Sequence, residues 1–349
     1  MYFFHNDYNE ICHPNVLKKM QELNNIPMNG YGEDECCKRA ADKIRQLCRK
    51  DSLSVHFISG GTQTNLTVIA ASLRPHQAVL SASSGHIQSH ETGAIEATGH
   101  KVLPLFSADG KITADQIACT AEDHLHDPTF EHIPQPKMVY ISQPTELGTM
   151  YTLSELEEIS SVCRKYGYYL FVDGARLGYA LAAKGNDLYL PDLARLTDVF
   201  YIGGTKVGAM FGEAVVISNP LLQADFRYLM KQRGAMLAKG WILGLQFDAL
   251  LEDDLYTKIS THADQLADQI RSAICDAGYP MPIPTTANQI FAILPTDVCR
   301  EIEKDFTFSP WEKVDENHML VRFCTSWAST RQGVDALCKE LKKYANIHN

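Results

Sequence analysis

The sequence lacks the features that mark nucleic-acid-binding, membrane and secreted proteins. Its 32 Lys and Arg residues are outnumbered by 42 Asp and Glu, for a formal net charge of −10, so the clustered positive charge of a nucleic-acid or anionic-membrane surface is missing. None of the ten cysteines stands in a C-x-x-C pair, and the N-terminal segment MYFFHNDYNE has neither a basic nor a long apolar stretch. We therefore expect a cytoplasmic protein with free thiols that binds neither nucleic acid nor membrane.

The one apolar run of membrane-spanning length, FYIGGTKVGAMFGEAVVI at 200–217, contains Lys206, Glu213 and several glycines. Those charges and glycines argue against a membrane helix. Burying an ammonium is unfavourable unless its pKa falls or a partner is supplied, so Lys206 requires a functional explanation. Glu213 could cap the turn, meet Arg176 or Arg233, or face a subunit interface.

Short β-branched or aromatic segments alternate with longer amphipathic ones up to about residue 240. This alternation predicts βαβ units and an α/β fold with a largely parallel sheet. A segment at 214–218 follows the preceding strand so closely that we expect it to be an antiparallel hairpin partner. The predicted strands lie at 55–58, 78–81, 101–106, 137–142, 168–173 and 198–203, and the predicted helices at 62–73, 113–122, 153–166 and 174–183.

The pattern changes after Gly240. A long helical stretch is predicted from 240 to about 275, then strands at 288–294 and 318–324 and a final helix at 330–345. We therefore predict a large domain at 1–245, which includes an N-terminal arm, and a small α+β domain at 246–349. The first 30 residues are too irregular to assign to either domain from their pattern.

Polar residues follow several predicted strands, at the edge where parallel sheets bind ligands. SGGTQTN at 59–65 places two glycines before Thr62 at a helix start, which suits either an anion site or a simple Thr N-cap. Asp173 ends an apolar strand and Arg176 follows it, while Lys206 stands on a glycine turn after another strand. An anion cradle, a carboxylate and a lysine together match a phosphorylated pyridine aldehyde, whose phosphate, ring nitrogen and aldehyde they would bind.

A fourth strand end carries GHIQSHETGA at 85–94. A flat imidazole such as His86 could stack on a ring there. Two polar histidines on a helix face are the alternative, since His86 and His90 are four residues apart. The spacing matches neither H-E-x-x-H nor H-x-x-E-H, so no metal site is predicted.

Taken in order, SGGTQTN, GHIQSHETGA, FVDGARLGYA and GGTKVGA resemble the low-specificity L-threonine aldolases, in the β-eliminating-lyase branch of fold-type-I pyridoxal-phosphate enzymes. NDY at 6–8, YGEDE at 31–35 and VRFCTSW at 321–327 extend the resemblance over nearly the whole chain. It implies a seven-stranded, mostly parallel sheet, pyridoxal 5'-phosphate as cofactor, and retro-aldol cleavage of L-threonine, L-allo-threonine or related β-hydroxy-α-amino acids to glycine and an aldehyde.

The resemblance also implies roles for individual residues. Lys206 would form the Schiff base, Asp173 would pair with the pyridine nitrogen, and His86 would stack on the ring. Further cofactor contacts would come from Gly61, Thr62, Arg176 and Thr205, and substrate contacts from Asn6, Tyr31, Arg176 and Arg322. Tyr31 and Glu33 lie in a loop that reaches a neighbouring subunit's site in the family, which implies a homodimer or homotetramer with shared active sites.

Two departures from the family pattern concern the base for the β-hydroxyl. His90 replaces an aromatic residue, and SQPTELGT at 142–149 lacks a histidine often found there. Glu91, His90 or Glu146 could serve instead. The same chemistry would also support a racemase or a β-eliminating lyase, and a nucleotide-dependent enzyme or a non-catalytic homologue are the alternatives outside the class.

Overall fold

The computed structural model describes residues 1–348, with side chains described through Tyr344. The strands are β1 Tyr2–Phe3, β2 Ser54–Ile58, β3 Gln77–Ala82, β4 Lys101–Leu105, β5 Gln135–Ser142, β6 Tyr169–Asp173, β7 Val199–Gly203, β8 Glu213–Ile217, β9 Gln289–Pro295, β10 Phe306–Thr307, β11 Ser309–Lys313 and β12 His318–Cys324. The helices of the first half are α1 Pro14–Leu23, α2 Glu35–Cys48, α3 Gly61–Ser72, α4 His86–Ser89, α5 Ala114–His126, α6 Leu153–Tyr166 and α7 Leu177–Ala182. The remaining helices are α8 Leu190–Leu196, α9 Pro220–Gln223, α10 Phe226–Gln232, α11 Trp241–Leu250, α12 Leu255–Asp276, α13 Thr296–Ile302 and α14 Arg331–His348, and two short 3₁₀ turns lie at Glu96–Thr98 and Phe130–His132.

The large sheet has seven strands in the order β2-β8-β7-β6-β5-β3-β4. Only β8 runs against the others, pairing antiparallel with both β2 and β7. The predicted mostly parallel α/β sheet and the antiparallel segment after Lys206 are both confirmed. Successive residues of β7 enter opposite cores, Phe200 on one face and Tyr201 on the other, as expected for a strand covered by helices on both faces.

The small sheet is antiparallel, in the order β11-β12-β9, and packs with α12, α13 and α14 around a separate apolar core. The N-terminal segment belongs partly to this unit, because β1 pairs with β10 through Tyr2 and Phe306, and Phe4 is buried in the same core. The division at 245/246 stays a prediction. Within the described residues, no helix combines the length and apolar character needed to cross a membrane.

The helical stretch predicted from 240 to about 275 is interrupted in the structure. The segment forms two helices, α11 and α12, separated by residues 251–254. Asp253 and Asp254 have φ values of 51° and 59° there, and aspartate tolerates this left-handed conformation better than most residues. Because the break contains neither glycine nor proline, the sequence pattern gave no warning of it.

The fold brings several strand ends to one edge. Ser142, Asp173 and Gly203 are the last residues of β5, β6 and β7, and Ile58 ends β2. Glu213 begins the antiparallel β8 at this same edge, in register with both Ile58 and Gly203. Side chains on the loops after these strands therefore meet in one place.

Candidate active site

A cavity of about 340 Å³ lies at the carboxyl ends of the central strands. The seven residues predicted to contact the cofactor all line it, namely Gly61, Thr62, His86, Asp173, Arg176, Thr205 and Lys206. These residues lie at or just after the ends of four separate strands, β2, β3, β6 and β7, so it is the sheet topology that brings them together.

Lys206 lies in the turn between β7 and β8, inside this cavity. Burial, together with the nearby Arg176 guanidinium, lowers the pKa of the Lys206 amine. Its amine has neither a hydrogen bond nor an ion pair with another group within residues 1–348. A lysine with a lowered pKa and a free amine is suited to attack an aldehyde.

Glu213 holds the turn that carries Lys206. Its carboxylate accepts hydrogen bonds from the Thr205 hydroxyl at 2.7 Å and from the Gly204 amide at 2.9 Å. Burial raises the pKa of Glu213 to about 7, although these two hydrogen bonds oppose the shift. Of the alternatives raised by the sequence, Glu213 therefore caps the turn.

Asp173 is buried and receives several hydrogen bonds. The Tyr140 hydroxyl and the Asn65 amide, the latter at 3.2 Å, donate to Oδ2, and the Ala175 amide donates to Oδ1 at 2.9 Å. Burial favours the neutral acid, but the hydrogen bonds from Tyr140, Tyr201 and the Ala175 amide, together with the charge on His86, outweigh it and hold the pKa of Asp173 below its ordinary value. Asp173 is therefore a carboxylate that can pair with a protonated ring nitrogen.

His86 is oriented by a carboxylate behind it. Its Nδ1 lies 2.7 Å from Glu91 Oε1, and Asn65 Nδ2 donates to that same oxygen at 2.7 Å. Glu91 is 5% exposed and does not line the cavity. His90 is exposed, with its ring 5.7 Å from the His86 ring, and it does not line the cavity either.

The glycine turn before α3 leaves an open, uncapped helix N-terminus. Gly60 is the N-cap residue and provides no side-chain hydrogen bond. A Cβ added to Gly60 would meet no atom within 4 Å, so the space beside the turn is open. Free amides and the positive end of the α3 dipole make this turn suitable for a phosphate.

The two arginines predicted to bind the substrate carboxylate differ in whether they already have a carboxylate partner in the protein. Arg176 already forms an ion pair with Asp7. Arg322, on β12, donates to Gln289 Oε1 at 3.2 Å and to the His5 carbonyl at 3.1 Å, and its guanidinium stacks 5.0 Å from the Trp311 ring. It forms no ion pair with a carboxylate of the described chain, and burial lowers its pKa. Arg322 is therefore a desolvated cation available to an anionic ligand.

Of the predicted substrate contacts, only Arg176 lines the cavity of this single chain, and Arg322, Asn6 and Tyr31 do not. Asn6 is buried, and its Oδ1 accepts a hydrogen bond from the Tyr8 amide at 3.0 Å. Tyr31 lines a second cavity of about 340 Å³ beside α2 and α10. The Lys231 ammonium lies 4.5 Å from the centre of the Tyr31 ring.

Sequence reasoning missed four residues that support the site. Tyr140 and Tyr201 lie inside strands that otherwise look purely structural, Asn65 lies one turn into α3, and Asp7 stands beside the predicted Asn6. Their positions could have identified them, since each lies within a few residues of a strand end or motif that the sequence already assigned to the site.

The family model for beta-eliminating lyases matches residues 14–297. A low specificity L-threonine aldolase from Pseudomonas aeruginosa is 30% identical over 97% of this chain and 96% of that protein. The structure of a Leishmania major threonine aldolase is 45% identical, with a TM-score of 0.96 over 99% of this chain and 100% of that one. A histidinol-phosphate aminotransferase from Clostridium acetobutylicum, at 12% identity and a TM-score of 0.75, shares the fold over 99% of this chain and 100% of its own. The chain thus has the fold of the fold-type-I pyridoxal-phosphate enzymes and belongs to the beta-eliminating lyase family.

Proposed function

We propose that the protein is a pyridoxal 5'-phosphate-dependent aldolase that cleaves L-threonine, L-allo-threonine and related β-hydroxy-α-amino acids to glycine and an aldehyde. The observation that carries the proposal is the unpaired Lys206 amine in the same cavity as the ionised Asp173. The threonine aldolases to which this chain is similar support the choice of reaction.

The residues fit the cofactor chemically. Lys206 would bind its aldehyde, Asp173 would pair with its ring nitrogen, and His86, held by Glu91, would stack on its ring. Gly61, Thr62 and Thr205 would hold the phosphate at the α3 N-terminus. When bound, the cofactor supplies an electron-withdrawing ring that stabilises negative charge at Cα.

Arg322 would bind the substrate carboxylate, because it is a partly buried cation without a carboxylate partner in the described chain. Arg176 would assist through Nη1, since its Nε and Nη2 already donate to Asp7. Asn6 would add a further hydrogen bond near Asp7. A clamped carboxylate fixes which bond at Cα is perpendicular to the ring, and that orientation decides between aldol cleavage and racemisation or β-elimination.

We also propose a homodimer or homotetramer with shared active sites, located in the cytoplasm. Tyr31 is 46% exposed and Tyr228 is 77% exposed, and both line a surface cleft with Arg227 and Met236. Exposed aromatic residues of this kind are typical of protein interfaces, and a partner would bring Tyr31 towards a neighbouring site. The ten free cysteines support a reducing compartment.

The test compares the purified protein with two lysine variants after incubation with pyridoxal phosphate. The wild type should absorb at long wavelength, lose that absorption on borohydride reduction, and release acetaldehyde from L-threonine or L-allo-threonine. Lys206→Ala should remain folded, bind the cofactor weakly and lose turnover. The exposed Lys239→Ala is the matched control and should behave as wild type.

A colourless wild type that ignores added cofactor would overturn the proposal. Turnover by Lys206→Ala would assign the anchor to another lysine. A coloured enzyme that racemises or eliminates, and releases no aldehyde, would support the alternative activities of this fold. Light scattering of the purified protein in solution tests the oligomer.

A further inference from the structure

Glu146 lies in the loop that follows β5, at the strand-end edge where the cavity forms. Its side chain lines the cavity with His86, Asp173 and Lys206. In the described chain it forms no hydrogen bond with Lys206, Asp173 or Glu213, and it is linked to the Asp173 network only through Ser142, which lies 3.5 Å from the Tyr140 hydroxyl. A carboxyl group that faces the cavity and has no part in the roles assigned to Lys206 and Asp173 needs its own explanation.

The Glu146 side chain is held in one orientation. Its Oε1 accepts a hydrogen bond from the His86 amide at 2.9 Å and another from the Ser142 hydroxyl at 2.7 Å. Its Oε2 receives no side-chain hydrogen bond from the described residues. One oxygen is therefore anchored, and the other is left for a group in the cavity.

The charges around Glu146 favour proton uptake. It forms no ion pair with a cation of the described chain, and the carboxylate of Asp173 is a nearby charge of the same sign. Burial, reinforced by Asp173 and only partly opposed by the Ser142 hydroxyl, raises the pKa of Glu146. A carboxyl group of this kind can take and return a proton closer to neutral pH than an exposed glutamate.

Glu91 and His90, the other two candidates for the base, lie farther from the space that a substrate would occupy. Glu91 lies behind His86 and uses Oε1 to orient that ring and the Asn65 amide. His90 is exposed and lies outside the cavity lining. Of the three groups that the sequence left open, Glu146 is the one whose side chain faces the space for a substrate.

We propose that Glu146 is the catalytic base that takes the β-hydroxyl proton of the substrate, an inference that rests on the aldolase function proposed above. The hydroxyl O–H bond breaks as Glu146 takes the proton, and the oxygen forms the carbonyl double bond of the leaving aldehyde. The Cα–Cβ electron pair stays with the glycine fragment. The proton count balances, because Cα gains one proton and Glu146 then gives up the one it took.

The decisive variant is Glu146→Gln. A glutamine oxygen still accepts the hydrogen bonds from the His86 amide and the Ser142 hydroxyl, so the loop keeps its anchor while the base is lost. Cleavage of L-threonine should fall about 10²–10⁴-fold. Exchange of the Cα protons of glycine with D₂O should persist, because glycine has no β-hydroxyl group. Affinity for the cofactor, measured by absorbance titration, should also be unchanged.

Glu158→Gln is the matched control, since Glu158 is exposed on α6, and it should behave as wild type in all three assays. Unchanged threonine cleavage by Glu146→Gln would overturn the proposal and assign Glu146 a structural role. Parallel loss of cleavage and glycine exchange would also overturn it, because the defect would not be specific to the hydroxyl. A wild type that shows neither cleavage nor exchange would instead refute the aldolase function itself.

A second measurement does not depend on the folding of the glutamine variant. In wild-type protein containing ¹³C-carboxyl glutamate, the resonances of Glu146 and Glu213 should titrate above those of the exposed glutamates. Glu146→Asp should remove one of the two and leave that of Glu213. The Glu146 resonance should shift on binding a β-hydroxy amino acid and respond much less to glycine. A Glu146 resonance that titrates with the exposed glutamates and ignores both ligands would count against the assignment.

Discussion

Asp7 and Arg176 form a doubly hydrogen-bonded ion pair beside the candidate active site. Arg176 donates from Nε to Oδ2 at 2.7 Å and from Nη2 to Oδ1 at 3.0 Å. Asn288 adds a hydrogen bond to Asp7 at 2.9 Å, and Asp7 is completely buried. The charge of Arg176 is thus balanced within the protein, which leaves Arg322 as the stronger attractor for a substrate anion.

Removing Asp7 should destabilise the fold, because Arg176, whose side chain is only 13% exposed, would lose its counter-charge. Asp7→Ala should lower the free energy of unfolding in urea at neutral pH by about 3–5 kcal/mol. Burial opposes ionisation of Asp7, but Arg176 and Lys206 hold its pKa below the ordinary value. The stabilisation is therefore present at neutral pH and is lost as the pH falls through that lowered pKa.

The matched control for Asp7 is Glu301→Gln, which removes an exposed partner of Lys304 and should leave stability unchanged. If Asp7→Ala and the wild type unfolded at the same urea concentration, the Asp7–Arg176 ion pair would make no net contribution to the stability of the fold.

Arg322→Gln should weaken substrate binding. Losing a charge-assisted hydrogen bond to a carboxylate costs about 1.5–3 kcal/mol, so KM for L-threonine should rise on the order of 10- to 100-fold. Arg300 is exposed on α13, so Arg300→Gln serves as the control with an unchanged KM. An unaltered KM in Arg322→Gln would show that the carboxylate binds elsewhere.

Much of the site was predictable because the sheet is parallel. Strand ends can be located from short apolar segments, and the carboxyl ends of parallel strands meet at one edge. Predictions for Lys206, Asp173 and Thr62 needed only that rule and the chemistry of each side chain. The confirmed sheet follows from the same alternation of apolar and amphipathic segments.

Contacts between distant segments were not predictable in this way. Asp7 and Arg176 are far apart in sequence, and nothing local marks them as partners. Tyr140 and Tyr201 look like ordinary strand residues in the sequence. Their hydroxyls lie near Asp173 only because the sheet pairs their strands in this register. The break between α11 and α12 could not be predicted from the sequence either, because it is formed by two aspartates in a left-handed conformation and not by glycine or proline.

Asp173→Asn should impair catalysis far more than folding. An amide oxygen can still accept from the Ala175 amide, but the negative charge that would keep the cofactor ring protonated is gone. We expect kcat to fall about 10²–10⁴-fold and the thermal midpoint to change little. Tyr140→Phe removes one donor to Asp173 and should have a smaller effect on kcat. Normal turnover by Asp173→Asn would exclude the proposed role of this carboxylate.

Asp264, on α12, is a buried carboxyl whose two oxygens have no hydrogen-bond partner in the described chain. Burial raises its pKa to about 9, against a smaller opposing effect of Arg271 and with a small addition from Asp268. In the unfolded chain the same group ionises near pH 4. The folded state therefore binds an extra proton between these values, and stability should fall as pH rises, by at most about 1.4 kcal/mol per pH unit for one proton.

Asp264→Asn should remove this dependence, because the amide does not ionise. The variant should gain stability relative to wild type as the pH rises, seen as a widening difference in urea midpoint between about pH 6 and about pH 9. Asp335→Asn, an exposed change on the adjacent α14, controls for the general loss of a negative charge and should follow the wild-type curve. Parallel curves for Asp264→Asn and wild type would mean that Asp264 ionises in the folded protein much as it does in the unfolded chain.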